Sequence, residues 1–363
     1  MRFPEFTGEW QKYSLGEIGE TIIGLTYKPS DVVENNGTIV FRSSNIKNGE
    51  IDYSDLVRVN KPIKDRIITT ENDILVCARN GSQRLIGKNA IIKKEDANNT
   101  FGAFMMVYRS NENSFIRPLL STKRYFSQVG ENLGARINQI TTSDFNGFEF
   151  YFPDNHIERT KIAKLFRLID ERIVSQNKII EKLESLIRGL CLKLVSQGIP
   201  NTTLNTCLEC HSSILQEKSV TTDGKYPVYG AAGICGYSDT PEESGDSILI
   251  IKDGASVGAT FYVSGKYSAI GTLNRLTARP GCSLRYLYYC LKIFDFSQYK
   301  TGQAIPHIYF RDYGIAKIWC PSLAQQEHIA GILTSIDTKI QMERSLLEHL
   351  TIQKRFLLRN MFI

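Results

Sequence analysis

The chain has no apolar run approaching the roughly 18–20 residues that cross a bilayer, which excludes a transmembrane helix, and no membrane partner is expected. Its first residues, Met1-Arg2-Phe3-Pro4-Glu5, lack the apolar stretch of a secretory signal, and this predicts a cytoplasmic protein. Catalytic motifs are equally scarce. The run Gly81-Ser82-Gln83-Arg84-Leu85-Ile86-Gly87-Lys88-Asn89 comes nearest to a phosphate-binding loop, but five residues separate its glycines where the motif has four. Asn89 also stands where Ser or Thr would meet magnesium. No G-x-G-x-x-G follows a strand-like run, and the five histidines (His156, His211, His307, His328, His349) have no zinc-helix spacing. Pro153-Asp154 near Glu158 and Lys161 has the residue types of a metal nuclease, yet Glu158 fits a helix cap. The expectation is a chain without a catalytic site, and so not an enzyme.

The eight cysteines are scattered, mostly in apolar contexts, and read as reduced, buried thiols. Cys207-Leu208-Glu209-Cys210-His211 matches the C-x-x-C-H pattern of haem attachment. Haem attachment needs export, and no second C-x-x-C completes a zinc ribbon, so no metal is expected.

What is present is ordinary in bulk. Hydrophobic residues make up 42% and charged residues 23%, so the 363 residues fold rather than stay disordered, and they suffice for two or three units. The net charge of +6 and pI of 8.8 permit a polyanionic partner without demanding one.

A long-range repeat organises the chain. Ile162-Ala163 recurs as Ile329-Ala330, Ile169-Asp170 as Ile336-Asp337, Glu181 as Glu348 and Leu190 as Leu357, each 167 positions on. Pro153 and Pro321 lie one position further apart. Both copies carry a seam with alternating steps of four and three, the period of a coiled coil. The first seam runs Ile162, Phe166, Ile169, Ile173, Gln176, Ile180, Leu183, Ile187, Leu190, Leu194. The second runs Ile329, Leu333, Ile336, Ile340, Glu343, Leu347, Leu350, Lys354, Leu357, Met361. Asn155 with Glu158, and Ser322 with Gln325, have capping-box spacing. Two long helices that pair antiparallel would bring the polar breaks Gln176 and Glu343 together and fix the register. Otherwise each helix packs on its own domain.

The segments before the helices correspond more weakly. Asp73 to Gly81 aligns with Asp246 to Gly254, both apolar strand-like runs ending in a basic residue, an Asn or Asp, and a Gly. Ser127 to Ile140 aligns with Ser297 to Ile308, and a helical stretch covers 284–294. The fold class is therefore α+β: globular units over 1–153 and 198–321, each followed by a helical spacer, 154–197 and 322–363. The turn residues Arg79, Asn80, Ser82, Gln83, Arg84 and Lys88 carry the guanidinium, amide and hydroxyl groups that read base edges. The second unit offers Lys252, Asp253 and Ser256 in the matching loop, with Arg275 and His307 as further candidates. Such residues are more often a solvated loop. Two equivalent loops on one spacer instead suit two half-sites at a set separation.

The whole pattern resembles the specificity subunit of type I restriction-modification systems. The resemblance is carried by Arg2-Phe3-Pro4-Glu5-Phe6-Thr7-Gly8-Glu9-Trp10 with Leu15-Gly16-Glu17-Ile18, and by Tyr226-Pro227-Val228-Tyr229-Gly230-Ala231 with Gly236-Tyr237-Ser238. Pro321 with Gln325, Ile329-Ala330 and Asp337, and the tail Gln353 to Phe362, complete it. The resemblance implies a non-catalytic subunit that binds double-stranded DNA, with two target recognition domains each reading half of a bipartite sequence. It implies helices that set the spacer and dock two methyltransferase subunits, and a further translocase-nuclease (restriction) subunit. S-adenosylmethionine, ATP and magnesium then belong to the partners, and this chain binds no cofactor. In one respect the sequence departs from the pattern: the second unit opens Gly198-Ile199-Pro200-Asn201 and then Leu204, without a counterpart of Gly8-Glu9-Trp10 and Leu15-Gly16. A fused nuclease or methyltransferase, and a coiled-coil scaffold that binds no DNA, are the competing readings.

Overall fold

The computed structural model describes residues 1–133, 138–213, 215–216 and 220–362. Of the compared stretch Ser127 to Ile140, residues 134–137 lie outside the described residues. The chain divides into two compact units, one of residues 1–175 with 347–363 and one of residues 176–346.

In the first unit a ribbon of Trp10–Ser14 and Glu149–Pro153 is followed by a short helix, Leu15–Ile18. The central antiparallel sheet has the order Glu20–Ile23, Met105–Arg109, Ile74–Cys77, Asn89–Ile91. Ile74–Cys77 is buried at every position, so it reads as a continuous apolar run without alternation. The helices Asn113–Leu119 and Lys123–Asn132 contribute Phe115, Tyr125 and Val129 to the same core. Arg109 grips the buried Asp73 through two bonds of 2.8 and 2.7 Å at the start of the central strand. A second sheet joins Thr100–Phe101 to Thr38–Phe41 in parallel, then Val57–Val59 and Val32–Val33.

The second unit repeats this plan. Its central sheet runs Leu208–Ser212, Leu273–Ala278, Ser247–Ile251, Thr260–Val263, with Leu284–Lys292 as the covering helix. Tyr226–Gly230 and Lys266–Ala269 form the matching parallel pair. The opening that the sequence lacks is present in structure. Thr202–Thr203 pairs with Lys317–Ile318, and the short helix Leu204–Cys207 follows. Leu204 donates its N–H to Ala316 as Leu15 does to Phe148, and both leucines are fully buried. The backbone geometry is kept while Gly and Trp are not, because a two-stranded ribbon needs only main-chain partners.

The two long helices are His156–Val195 and Leu323–Met361. Every seam position is buried or half-buried. They pair antiparallel within each unit. In the first, Phe166 stacks on Phe362 (centroids 5.5 Å apart) and Lys354 reaches Asp170 at 2.6 Å. In the second, Ile187 and Cys191 pack in one core with Leu333 and Ile329, and Arg344 meets Glu184 at 2.6 Å. Gln176 donates to the Glu343 carbonyl at 3.1 Å and to its carboxylate, which Lys339 also holds. A satisfied polar pair in an apolar seam disfavours sliding, since a one-turn slip would bury both groups unpaired. The double variant Gln176→Cys with Glu343→Cys is expected to form an intramolecular disulfide under oxidation. Non-reducing peptide mapping checks it, and separate 176 and 343 peptides would refute the pairing.

The caps differ from their sequence pattern. Asn155 accepts from the Ile157 N–H at 2.9 Å, but Glu158 does not reach back to it. The buried Glu158 carboxylate accepts from Arg2 Nε and Nη2, each at 2.6 Å, a charge-assisted fork that outcompetes a neutral N–H. At the second helix Ser322 donates to Gln325 at 3.4 Å, and Gln326 folds back instead, donating to the Pro321 carbonyl at 2.8 Å.

Candidate nucleic-acid interface

Both units end their central strand in the same tied loop. Gly87 donates to the Cys77 carbonyl at 2.9 Å and Gly258 to that of Ile251 at 2.8 Å. Both glycines have positive φ, +79° and +94°, so the chain turns back with little strain. A returning segment then straps the loop. In the first unit Asn80 donates to Asn138 and Ile140 to Ala78; in the second Gly254 donates to Pro306 and Ile308 to Lys252.

These bonds settle the correspondence, and it differs by one residue from the sequence alignment. Arg79 faces Gln139 across its strap as Asp253 faces His307. Arg79 is therefore equivalent to Asp253, Ala78 to Lys252 and Asn80 to Gly254. The error has a physical origin. A strand buried on both faces shows no period-two pattern, so its register cannot be read from hydropathy.

The first loop delivers its candidates to two places. Arg79 is exposed, and its guanidinium lies 5.0 Å from the ring centre of Phe104, itself 58% exposed. Asn80 is anchored, donating to Ser43 at 2.9 Å and accepting from the Ser82 N–H at 3.0 Å. Arg79 and Asn80 line a groove of about 1200 Å³ with Tyr27, Arg42, Phe104 and Asn138. Ser82, Gln83 and Arg84 stay exposed on the outer turn, and Lys88 is half-buried just before the returning strand Asn89–Ile91. Cys77, just before the loop, is pushed up to about 11 by burial and stays a thiol. Arg42, Phe104 and Tyr27 carry no sequence signal, because they come from the second sheet and a separate turn.

In the second unit Lys252 pairs with Asp253 at 3.5 Å and Ser256 is exposed. The His307 ring packs edge-on to Tyr309, and its Nδ1 lies 3.3 Å from the Ile305 carbonyl. Arg275 is set apart from these residues. It lies within the sheet, opposite His211 and Leu249, with its guanidinium 3.1 Å from Glu243. Gly254-Ala255-Ser256-Val257-Gly258 has the spacing of a hydrolase nucleophile elbow, but it joins two antiparallel strands, not a strand to a helix. Asp253 and His307 are engaged as described, and no bond links either to the Ser256 hydroxyl among the described contacts.

Two α+β units of one design, each with a strapped loop at the end of its central strand, define a duplicated two-module protein. The profile of the type I restriction modification DNA specificity domain matches residues 7–185 and again residues 209–351, and the chain belongs to that family. It is 22% identical over 213 residues to the type I restriction enzyme StySPI specificity subunit of Salmonella potsdam, covering 56% of this chain and 46% of that one. It is 28% identical over 194 residues to the EcoKI specificity subunit of Escherichia coli K12, covering 50% and 42%. The chain thus spans less than half the length of these curated relatives. A crystal structure of the type I restriction-modification S subunit from M. genitalium shares the fold, with a TM-score of 0.73 at 20% identity over 100% of this chain and 99% of that one. No helix among the described residues is long and apolar enough to cross a membrane.

Proposed function

We propose that this chain is the DNA-reading subunit of a type I restriction-modification complex, and that each unit reads one half of a bipartite target. The equivalence of the two strapped loops carries this reading. Equivalent positions hold different chemistry, Arg79 against Asp253 and Asn80 against Gly254. Arginine favours guanine and an acidic side chain accepts from cytosine, so the halves should differ in sequence. In the first unit Arg79 and Asn80 act in the groove, while Arg84 and Lys88 take the role of phosphate contacts. In the second, Lys252, Asp253, Ser256 and His307 form the corresponding set. Arg275, held by Glu243, acts as support for the sheet. The paired helices set the spacing between half-sites and dock two methyltransferase subunits. Those partners bring S-adenosylmethionine, and a translocase-nuclease subunit brings ATP and magnesium.

Exchange of residues 1–153 for the corresponding domain of another specificity subunit is expected to change one half of the methylated motif and leave the other intact. Sequencing of modified bases in cells that express the chain with its methyltransferase reads this directly. A change in both halves, or no bipartite motif at all, would reject the reading.

A further inference from the structure

We propose that Cys207, Cys282 and Cys320 form a binding site for one zinc(II) ion, a trithiolate with a fourth position left for water. The three sulfurs lie within 4.8 Å of one another. Zinc–sulfur bonds of about 2.3 Å place tetrahedral thiolates roughly 3.8 Å apart. Side-chain rotation that draws the sulfurs in by about 1 Å therefore completes the geometry.

The cysteines come from three separate segments. Cys207 ends the short opening helix, Cys282 lies in the turn before Leu284–Lys292, and Cys320 precedes the second long helix. Their backbones are tied to one another. The Cys207 carbonyl accepts from Arg279 at 2.8 Å, and the Arg279 carbonyl accepts from Cys282 at 3.1 Å. The Asn201 amide brackets Cys320, donating to its carbonyl at 2.9 Å and accepting from its N–H at 2.8 Å. The buried amide of Gln326 ties Cys320 to the residue that follows Cys282, with Nε2 donating to Cys320 Sγ at 3.2 Å and Oε1 accepting from the Ser283 N–H at 2.8 Å. An outer shell that fixes ligand orientation is what a thiolate site requires. Cys282 and Cys320 are only half-buried, which leaves a route for the ion.

The first unit shows what an apolar version looks like. By backbone bonding Cys207 is equivalent to Ile18 and Cys320 to Phe152, and those two side chains simply pack in the core. The C-x-x-C pair is not the site, since Cys210 lies on the strand Leu208–Ser212 and outside the group. Bound zinc would staple the opening of the second unit to the start of the second long helix.

The test uses the intact, reduced chain. Iodoacetamide labelling is followed by peptide mass mapping with zinc(II) from zero to several equivalents. The expected result is joint protection of the half-buried Cys282 and Cys320 that saturates at one equivalent, with labelling of the exposed Cys235 unchanged. Equal labelling of the two with and without zinc, or protection of one alone, would overturn the proposal. Cobalt(II) gives a second readout through its sulfur-to-metal charge-transfer band. Cys320→Ser should abolish or weaken that band while Cys210→Ser retains it, and the reverse pattern would also overturn the site. Gln326→Ala, as a positioning variant, should weaken zinc affinity by roughly 10–100-fold.

Discussion

Arg79→Ala is expected to weaken binding of the cognate duplex by about 1–3 kcal/mol, roughly 5–150-fold, and to relax the methylated motif at one position of one half-site. The side chain has the features of a base reader. It leaves the end of a fully buried strand, so its Cα is held by the core. The strap bonds on either side prevent the loop from moving away. The guanidinium lies over the Phe104 ring, 5.0 Å from its centre, and the residue stays exposed. Arg84 supplies the contrast. It is exposed on the outer turn with no such contact among the described residues, so Arg84→Ala should weaken binding uniformly and reduce the salt slope by about one counterion. Binding titrations at several salt concentrations, together with methylation sequencing, separate the two effects. A fully specific Arg79→Ala variant would remove Arg79 from the reading surface.

Asp73→Ala is expected to destabilise the chain by about 3 kcal/mol, lowering its thermal transition by roughly 6–12 °C. Asp73 is 1% exposed and accepts two bonds from Arg109 and one from the Thr70 N–H at 2.8 Å. Removing the carboxylate leaves these donors without their acceptor. The guanidinium also donates to the Ile68 carbonyl at 3.0 Å and is part-exposed, which places the cost at the low end for a broken buried pair. Replacing both partners by apolar residues, Asp73→Leu with Arg109→Met, should recover part of the loss. Calorimetry of the three proteins checks this. An unchanged transition in Asp73→Ala would mean that water replaces the pair at no cost.

Much of the architecture is legible in the amino-acid sequence. Helix seams are local, because residues three and four apart share a face, so the 167-residue repeat and the break at Gln176 and Glu343 were readable from spacing alone. The order of unit, helix, unit, helix followed from the repeated seams, the α+β class from the strand-like and helical runs between them, and the resemblance to specificity subunits from the stretches Arg2–Trp10, Tyr226–Ala231 and Gln353–Phe362. Other features depend on contacts between distant segments. The one-residue register between the two central strands was hidden because both faces are buried. Glu158 looked like a cap until Arg2 reached it from the opposite end of the first unit. Phe104 and Arg42 joined Arg79 only when two sheets met. The three thiols shared no sequence spacing, since the ribbon, the turn and the helix start that carry them converge only in the folded second unit. Period and composition are written along the chain; register, partner and site are written in which segments pack together, and only the tertiary structure decides that.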